Sequence, residues 1–143
     1  MIVLVDTNIL LDVLQKRAPH HISADQLWAL IESGSLVGYV SAISFNNIFY
    51  VARKQDGREK AIQSLAVVRN VFKTVSLDES LTDDALAVSP ADFEDALQAC
   101  AARRVQAEYV VTRNCSDFKA LGVIAVTAEV FLALYHASES HVE

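Results

Sequence analysis

Four aspartates stand out as groups that could do chemistry together: Asp6, Asp92, Asp95 and Asp117. Asp6 closes an unbroken apolar run, Ile2 to Val5. Asp92 and Asp95 are three residues apart, so on a helix they share a face. Asp117 follows a second apolar run that begins at Tyr109 and ends at Thr112. Carboxylates that meet in one cleft repel one another unless a hard cation neutralises them. Oxygen ligands suit Mg²⁺ or Mn²⁺, and no histidine or cysteine stands beside these acids to favour zinc. Each acid also has a plain structural role open to it. Asp6 could cap the following helix, and Asp92 could complete a capping box begun at Ser89. Asp95 would favour a helix dipole, and Asp117 could close an Asx turn. What singles them out is convergence, which depends on the elements that carry them.

Those elements alternate. The run Ile2 to Val5 lacks polar alternation, as expected of a strand buried on both faces of a parallel sheet. Helices are expected over Asn8–Gln15 and Ser23–Ser33, then a strand over Leu36–Val40. A helix from about Phe45 to Lys54, capped by Ser44, precedes a longer one over Arg58–Phe72. A short strand, Lys73–Leu77, leads to a helix over Asp78–Val88. Ser89-Pro90-Ala91-Asp92 signals the start of a helix running to about Gln106, with Ser89 as cap. Strands Tyr109–Thr112 and Val123–Val126 and a helix over Ala128–His136, capped by Thr127, complete the chain. The tail from Ser138 to Glu143 is expected to fray. Strand and helix in alternation give a three-layer α/β sandwich, with a central parallel sheet of four to five strands flanked by helices. A helix that precedes a parallel strand starts at the carboxyl edge of the sheet. That edge would bring Asp92 and Asp95 beside Asp6 and Asp117, where open α/β sheets bind ligands.

The 143 residues suit one domain. Hydrophobic residues make up 52% and charged residues 21%, which excludes a disordered chain. No apolar run reaches the ~18 residues of a membrane span. The N-terminus lacks the basic segment and long apolar stretch of a signal peptide, so a cytoplasmic protein is expected. Cys100 and Cys115 have no metal or redox spacing and read as reduced thiols. A net charge of −6 does not describe a duplex DNA binder that works by bulk electrostatics. Small basic groups, such as Lys16-Arg17 and Arg113 near Lys119, could still line a groove for a single strand. His20 and His21 have no spaced metal-binding partner.

Four segments, in order along nearly the whole chain, make the sequence similar to PIN domains, the nuclease fold of VapC-type toxins. They are Val5-Asp6-Thr7-Asn8 with the apolar run to Asp12, Ser41 to Val51, Asp92-Phe93-Glu94-Asp95-Ala96-Leu97, and Val111-Thr112-Arg113-Asn114-Cys115-Ser116-Asp117-Phe118. The resemblance implies a Mg²⁺- or Mn²⁺-dependent ribonuclease with Asp6, Asp95 and Asp117 as metal-binding, catalytic acids and Asp92 as an accessory acid. Thr7, Asn8, Thr112 and Asn114 would orient water, metal or phosphate. It also implies an RNA substrate, a homodimer and, if the toxin likeness holds, a small antitoxin partner. One departure stands out. Where the family usually has a glutamate, in the helix after the second strand, this chain has Asn46 and Asn47, with Asn47 the closer positional match. An amide can ligate Mg²⁺ or hold its water but brings no charge.

The leading expectation is a metal-dependent endoribonuclease that hydrolyses RNA with a metal-activated water. The alternative, motivated by the amides, is a PIN-shaped module that binds RNA or a partner protein with little or no catalysis. A phosphatase using Asp6 as nucleophile fits less well, because such chemistry wants a second aspartate at the position of Asn8.

Overall fold

The computed structural model describes residues 1–88 and 90–140. Strand β1 (Ile2–Val5) is followed by helices α1 (Thr7–Leu14) and α2 (His21–Glu32). Strand β2 (Val37–Ser41) leads into the hairpin of α3 (Ala42–Asp56) and α4 (Arg58–Val71), and then β3 (Lys73–Val75). Helices α5 (Glu79–Ala87) and α6 (Phe93–Arg104) precede β4 (Tyr109–Val111). A 3₁₀ turn (Cys115–Phe118), β5 (Ala125–Val126) and α7 (Ala128–Ser140) complete the described chain. All strand pairings are parallel, in the order β3-β2-β1-β4-β5. The expected three-layer α/β sandwich with a parallel sheet is therefore present, with five strands.

The apolar run of β1 explains its central place. Val3 and Val5 pack into one layer with Leu10, Leu27, Trp28 and Phe131, while Leu4 points into the other with Ala99, Ala102, Val110 and Phe118. Val3, Leu4 and Val5 are buried, each burial contributing about 1.5–3 kcal/mol. From β1 the chain builds outward to β2 and β3, then returns to build β4 and β5 on the other side. The direction of winding thus reverses between β1 and β4, and a crevice opens there at the carboxyl ends of the strands. On β2, Gly38 lets α2 and Phe72 lie close: a Cβ there would stand 2.8 Å from Ile31 and 2.9 Å from Phe72.

Several boundaries differ from the sequence expectation, for local reasons. Helix α1 starts at Thr7 because the Asp6 carboxylate accepts from the Thr7 amide at 2.7 Å. Helix α3 starts at Ala42, and its cap is Ser41, which accepts from the Ile43 amide at 3.4 Å. Ser44, expected as the cap, is instead a buried side chain inside the helix. Helix α6 starts at Phe93 with Asp92 as its cap, accepting from the Asp95 amide at 3.1 Å. The expected cap, Ser89, lies outside the described residues. Thr127 does cap α7, accepting from the Val130 amide at 3.2 Å. The α7 helix continues through Ser140, so residues 138–140 of the expected frayed tail are helical, and residues 141–143 lie outside the description.

Candidate functional site

A cavity of about 280 Å³ opens at the crevice between β1 and β4. It collects side chains from four places: Asp6, Thr7 and Asn8 after β1, Asn47 from α3, Asp92, Glu94 and Asp95 at the start of α6, and Asn114 and Asp117 after β4. All four aspartates singled out in the sequence therefore line one space. Asn46 does not line it. It is exposed, one helical step away from Asn47. Thr112 lies beneath the cavity, fully buried. A second hollow of about 250 Å³ shares Asp92, Asp95 and Asp117 and continues over Val88, Pro90, Ala91, Ala120 and Leu121.

Asp6 is held on both oxygens. Oδ1 accepts from the Thr7 amide. Oδ2 accepts from Thr112 Oγ1 at 2.8 Å and from Asn8 Nδ2 at 3.4 Å. Thr112 Oγ1 in turn accepts from the Asn114 amide at 3.0 Å and from Asn8 Nδ2 at 3.4 Å. With both lone pairs engaged, the Thr112 hydroxyl hydrogen is left for Asp6. Asn8 Oδ1 accepts from the Arg113 amide at 3.3 Å, tying α1 to the loop after β4. Asn8 and Thr112, expected to orient water, metal or phosphate, are both bonded to Asp6 in the structure.

A second polar chain runs under the site. Gln98 Nε2 donates to Ser44 Oγ at 3.1 Å, and Ser44 Oγ bonds Thr7 Oγ1 at 2.8 Å. It links α6, α3 and α1 through buried groups. Gln98 Oε1 has no partner among the described residues.

The electrostatics are those of crowded acids. Burial is the main cause that raises Asp6 above the ordinary carboxylate range, against the bonds from Thr112 and Thr7 that lower it. Burial, then the charges of Asp92, Asp6, Asp117 and Glu94, push Asp95 up to about 7. Glu94 is also raised, by burial and then by Asp6 and Asp92. Arg17 is the one basic side chain lining the cavity among the described residues. Its guanidinium is held by Gln15 Oε1 through Nε at 3.0 Å and Nη2 at 2.8 Å.

The donor set is all oxygen and mostly anionic, which fits a hard divalent cation such as Mg²⁺ or Mn²⁺. The repulsion that lifts Asp95 is what such an ion would relieve. Among the described residues, no group of three or more His, Cys, Asp or Glu side chains is placed so that it could hold a metal ion.

Two polar lining residues, Arg17 and Glu94, are not among the site residues expected from sequence. Arg17 reads there only as one of several basic groups. Glu94, whose Oε1 accepts from Asn47 Nδ2 at 2.8 Å, was hidden beside Asp95. The signal that could have found it is the first turn of α6, which faces the same crevice.

The PIN domain family model matches residues 2–116. No curated protein matches the sequence. Among solved structures, the fold is similar to VapBC2 from Rickettsia felis, bound to a DNA fragment from their promoter, with TM-score 0.71 and 20% identity over 89% of this chain and 98% of that one. It is similar to VapC20 from Mycobacterium tuberculosis, a sarcin-ricin loop cleaving toxin, with TM-score 0.71 and 18% identity over 87% of this chain and 98% of that one. FitAcB from Neisseria gonorrhoeae has TM-score 0.65 and 17% identity over 89% and 98%. At these identities the solved structures speak to fold alone.

Proposed function

This chain belongs to the PIN domain family, and from that premise we propose that it is a Mg²⁺- or Mn²⁺-dependent endoribonuclease, the toxin of a toxin–antitoxin pair. The observation that carries the reading is the convergence of Asp6, Asp92, Asp95 and Asp117 on one oxygen-lined cavity at the winding reversal of the sheet.

In this reading Asp6, Asp95 and Asp117 would hold the cation, with Asp92, exposed at the cap of α6, as an accessory acid. When bound, the ion supplies Lewis-acid activation of a water and offsets charge on the phosphodiester. Thr112, Asn8 and the Thr7 amide keep the Asp6 carboxylate in one orientation, so no reorganisation is needed there during reaction. Asp95 would have to be deprotonated to hold a cation, since proton and ion compete for the same oxygens. Asn114 offers its side-chain amide to water or phosphate, and Asn8 acts through its bonds to Asp6, Thr112 and the Arg113 amide. Arg17, held by Gln15 on the rim, offers a cation to a backbone phosphate of a single strand. The reaction is a hydrolysis: water oxygen bonds to phosphorus, the bond to one ribose oxygen breaks, and that oxygen takes up a proton.

The antitoxin partner is supported by the likeness to VapBC complexes. A homodimer and a cytoplasmic location complete the proposal. No helix among the described residues is long and apolar enough to cross a membrane.

The test is cleavage of assorted RNAs with Mn²⁺. Asp6→Asn and Asp95→Asn should each lower the rate about 100-fold or more, and EDTA should abolish it. Cleavage that survives EDTA, or both substitutions, would sink the reading. The competing reading, a module that binds RNA or a partner without cleaving, is favoured by the uncharged amide of Asn47. It predicts a folded wild type that cleaves no RNA with any divalent ion.

A further inference from the structure

The glutamate expected on α3 is absent, yet the cavity contains a carboxylate that stands against the amide in its place. We propose that Glu94 supplies the missing fourth carboxylate from α6, and that Asn47 is the positioning residue that aims it. The inference rests on the divalent-metal reading given above and concerns the same site.

The geometry is specific. Asn47 and Glu94 lie 47 positions apart in sequence, on different helices, and both line the cavity that contains Asp6. Asn47 Nδ2 donates to Glu94 Oε1 at 2.8 Å. That bond holds one carboxylate oxygen, while Oε2 takes part in no hydrogen bond among the described residues. A glutamate serving only the dipole of α6 could satisfy that role from solvent. Glu94 instead crosses towards α3 and lies half-buried in the cavity beside Asp6, Asp92 and Asp95.

The two positions are also chemically complementary. A carboxylate at the start of α6 needs a donor on α3, which an asparagine amide provides and a glutamate would not. Asp92 is a poorer candidate for the fourth acid, because it is exposed at the cap of α6 and makes no bond to α3 among the described residues, whereas Glu94 is half-buried and bonded to Asn47. The substitution on α3 therefore moves the charge across the cavity and does not remove it.

The test is calorimetric titration of the full chain with Mn²⁺ alone, with thermal unfolding of each metal-free variant as a control for folding. Glu94→Gln should weaken Mn²⁺ binding about tenfold or more, while its metal-free unfolding midpoint stays level or rises as repulsion is relieved. Asn47→Ala should weaken binding about tenfold, as loss of an orienting partner does. The exchanged variant, Asn47→Glu with Glu94→Gln, should return binding to within about threefold of wild type, a rescue that a merely structural role for Asn47 would not produce. Wild-type affinity in folded Glu94→Gln, or no recovery in the exchanged variant, overturns the proposal and leaves the metal site standing. A folded wild type that binds no Mn²⁺ overturns both.

Discussion

Arg113 Nε lies 2.9 Å from Oδ2 of Asp12, a carboxylate with no exposed surface. Arg113 Nη2 also donates to Asp12 Oδ1 at 3.2 Å. This two-point pair joins the inner face of α1 to the loop that carries Asn114 and Asp117. Arg17 Nη1, at 3.9 Å from Asp12 Oδ1, adds a more distant cation.

Removing Arg113 would leave a buried charge short of its main partner. Breaking such a pair from one side costs about 3–5 kcal/mol when fully buried, and the partly exposed Arg113 places the expected loss for Arg113→Ala at the lower end or below, about 2–3 kcal/mol. Arg113→Lys keeps the charge but not the two-point contact, so it should lose less. Urea unfolding of the two variants measures both values. Equal stability of Arg113→Ala and wild type would mean that Asp12 finds another partner.

The elevated Asp95 carboxyl makes the metal-free fold sensitive to pH. Its folded value is about 7, against an ordinary value near 3.9 in an unfolded chain. Between roughly pH 4 and 7 the folded chain therefore holds this proton more tightly than the unfolded one. Stability should fall as pH rises through that window and recover as pH falls. In EDTA, the unfolding midpoint should be higher at about pH 5.5 than at about pH 7.5, and Asp95→Asn should narrow the difference. A midpoint that instead climbs over this range in wild type would contradict the assignment.

Thr112 donates the shorter of the two side-chain bonds to Asp6 Oδ2, the other coming from Asn8 at 3.4 Å. Thr112→Val keeps the shape of the buried side chain but removes the donor at 2.8 Å. The expected cost is about 1–3 kcal/mol, the range for stranding a buried polar partner. Thr112→Ser should retain most of the stability. Calorimetric unfolding of the pair distinguishes the lost hydroxyl from a change in packing.

The sequence made the sheet legible where burial is two-sided. The unbroken run of β1 ends on Asp6, and its parallel surroundings follow from the alternation with helices. It misjudged helix starts where two capping residues compete. Ser44 looks like a cap for α3, but its hydroxyl is drawn into the Thr7–Gln98 chain, and Ser41 takes the cap. Ser89-Pro90 imitates the opening of α6, but Asp92 reaches the Asp95 amide and the first turn begins after it. The aspartates could be brought to one edge by topology alone, because parallel strands and returning helices leave little choice. Pairing Asn47 with Glu94 was beyond reach. It depends on how closely α3 approaches α6, a packing distance that no spacing along the chain encodes.

The two outer strands of the sheet are very short: β3 has three residues and β5 has two. Edges of that length present almost no free ladder of amides and carbonyls to another backbone. A second copy of the chain, or a partner arriving as an extended peptide, gains little by adding a strand here. Strand addition at either edge of the sheet is therefore a poor route by which this chain could associate with another backbone.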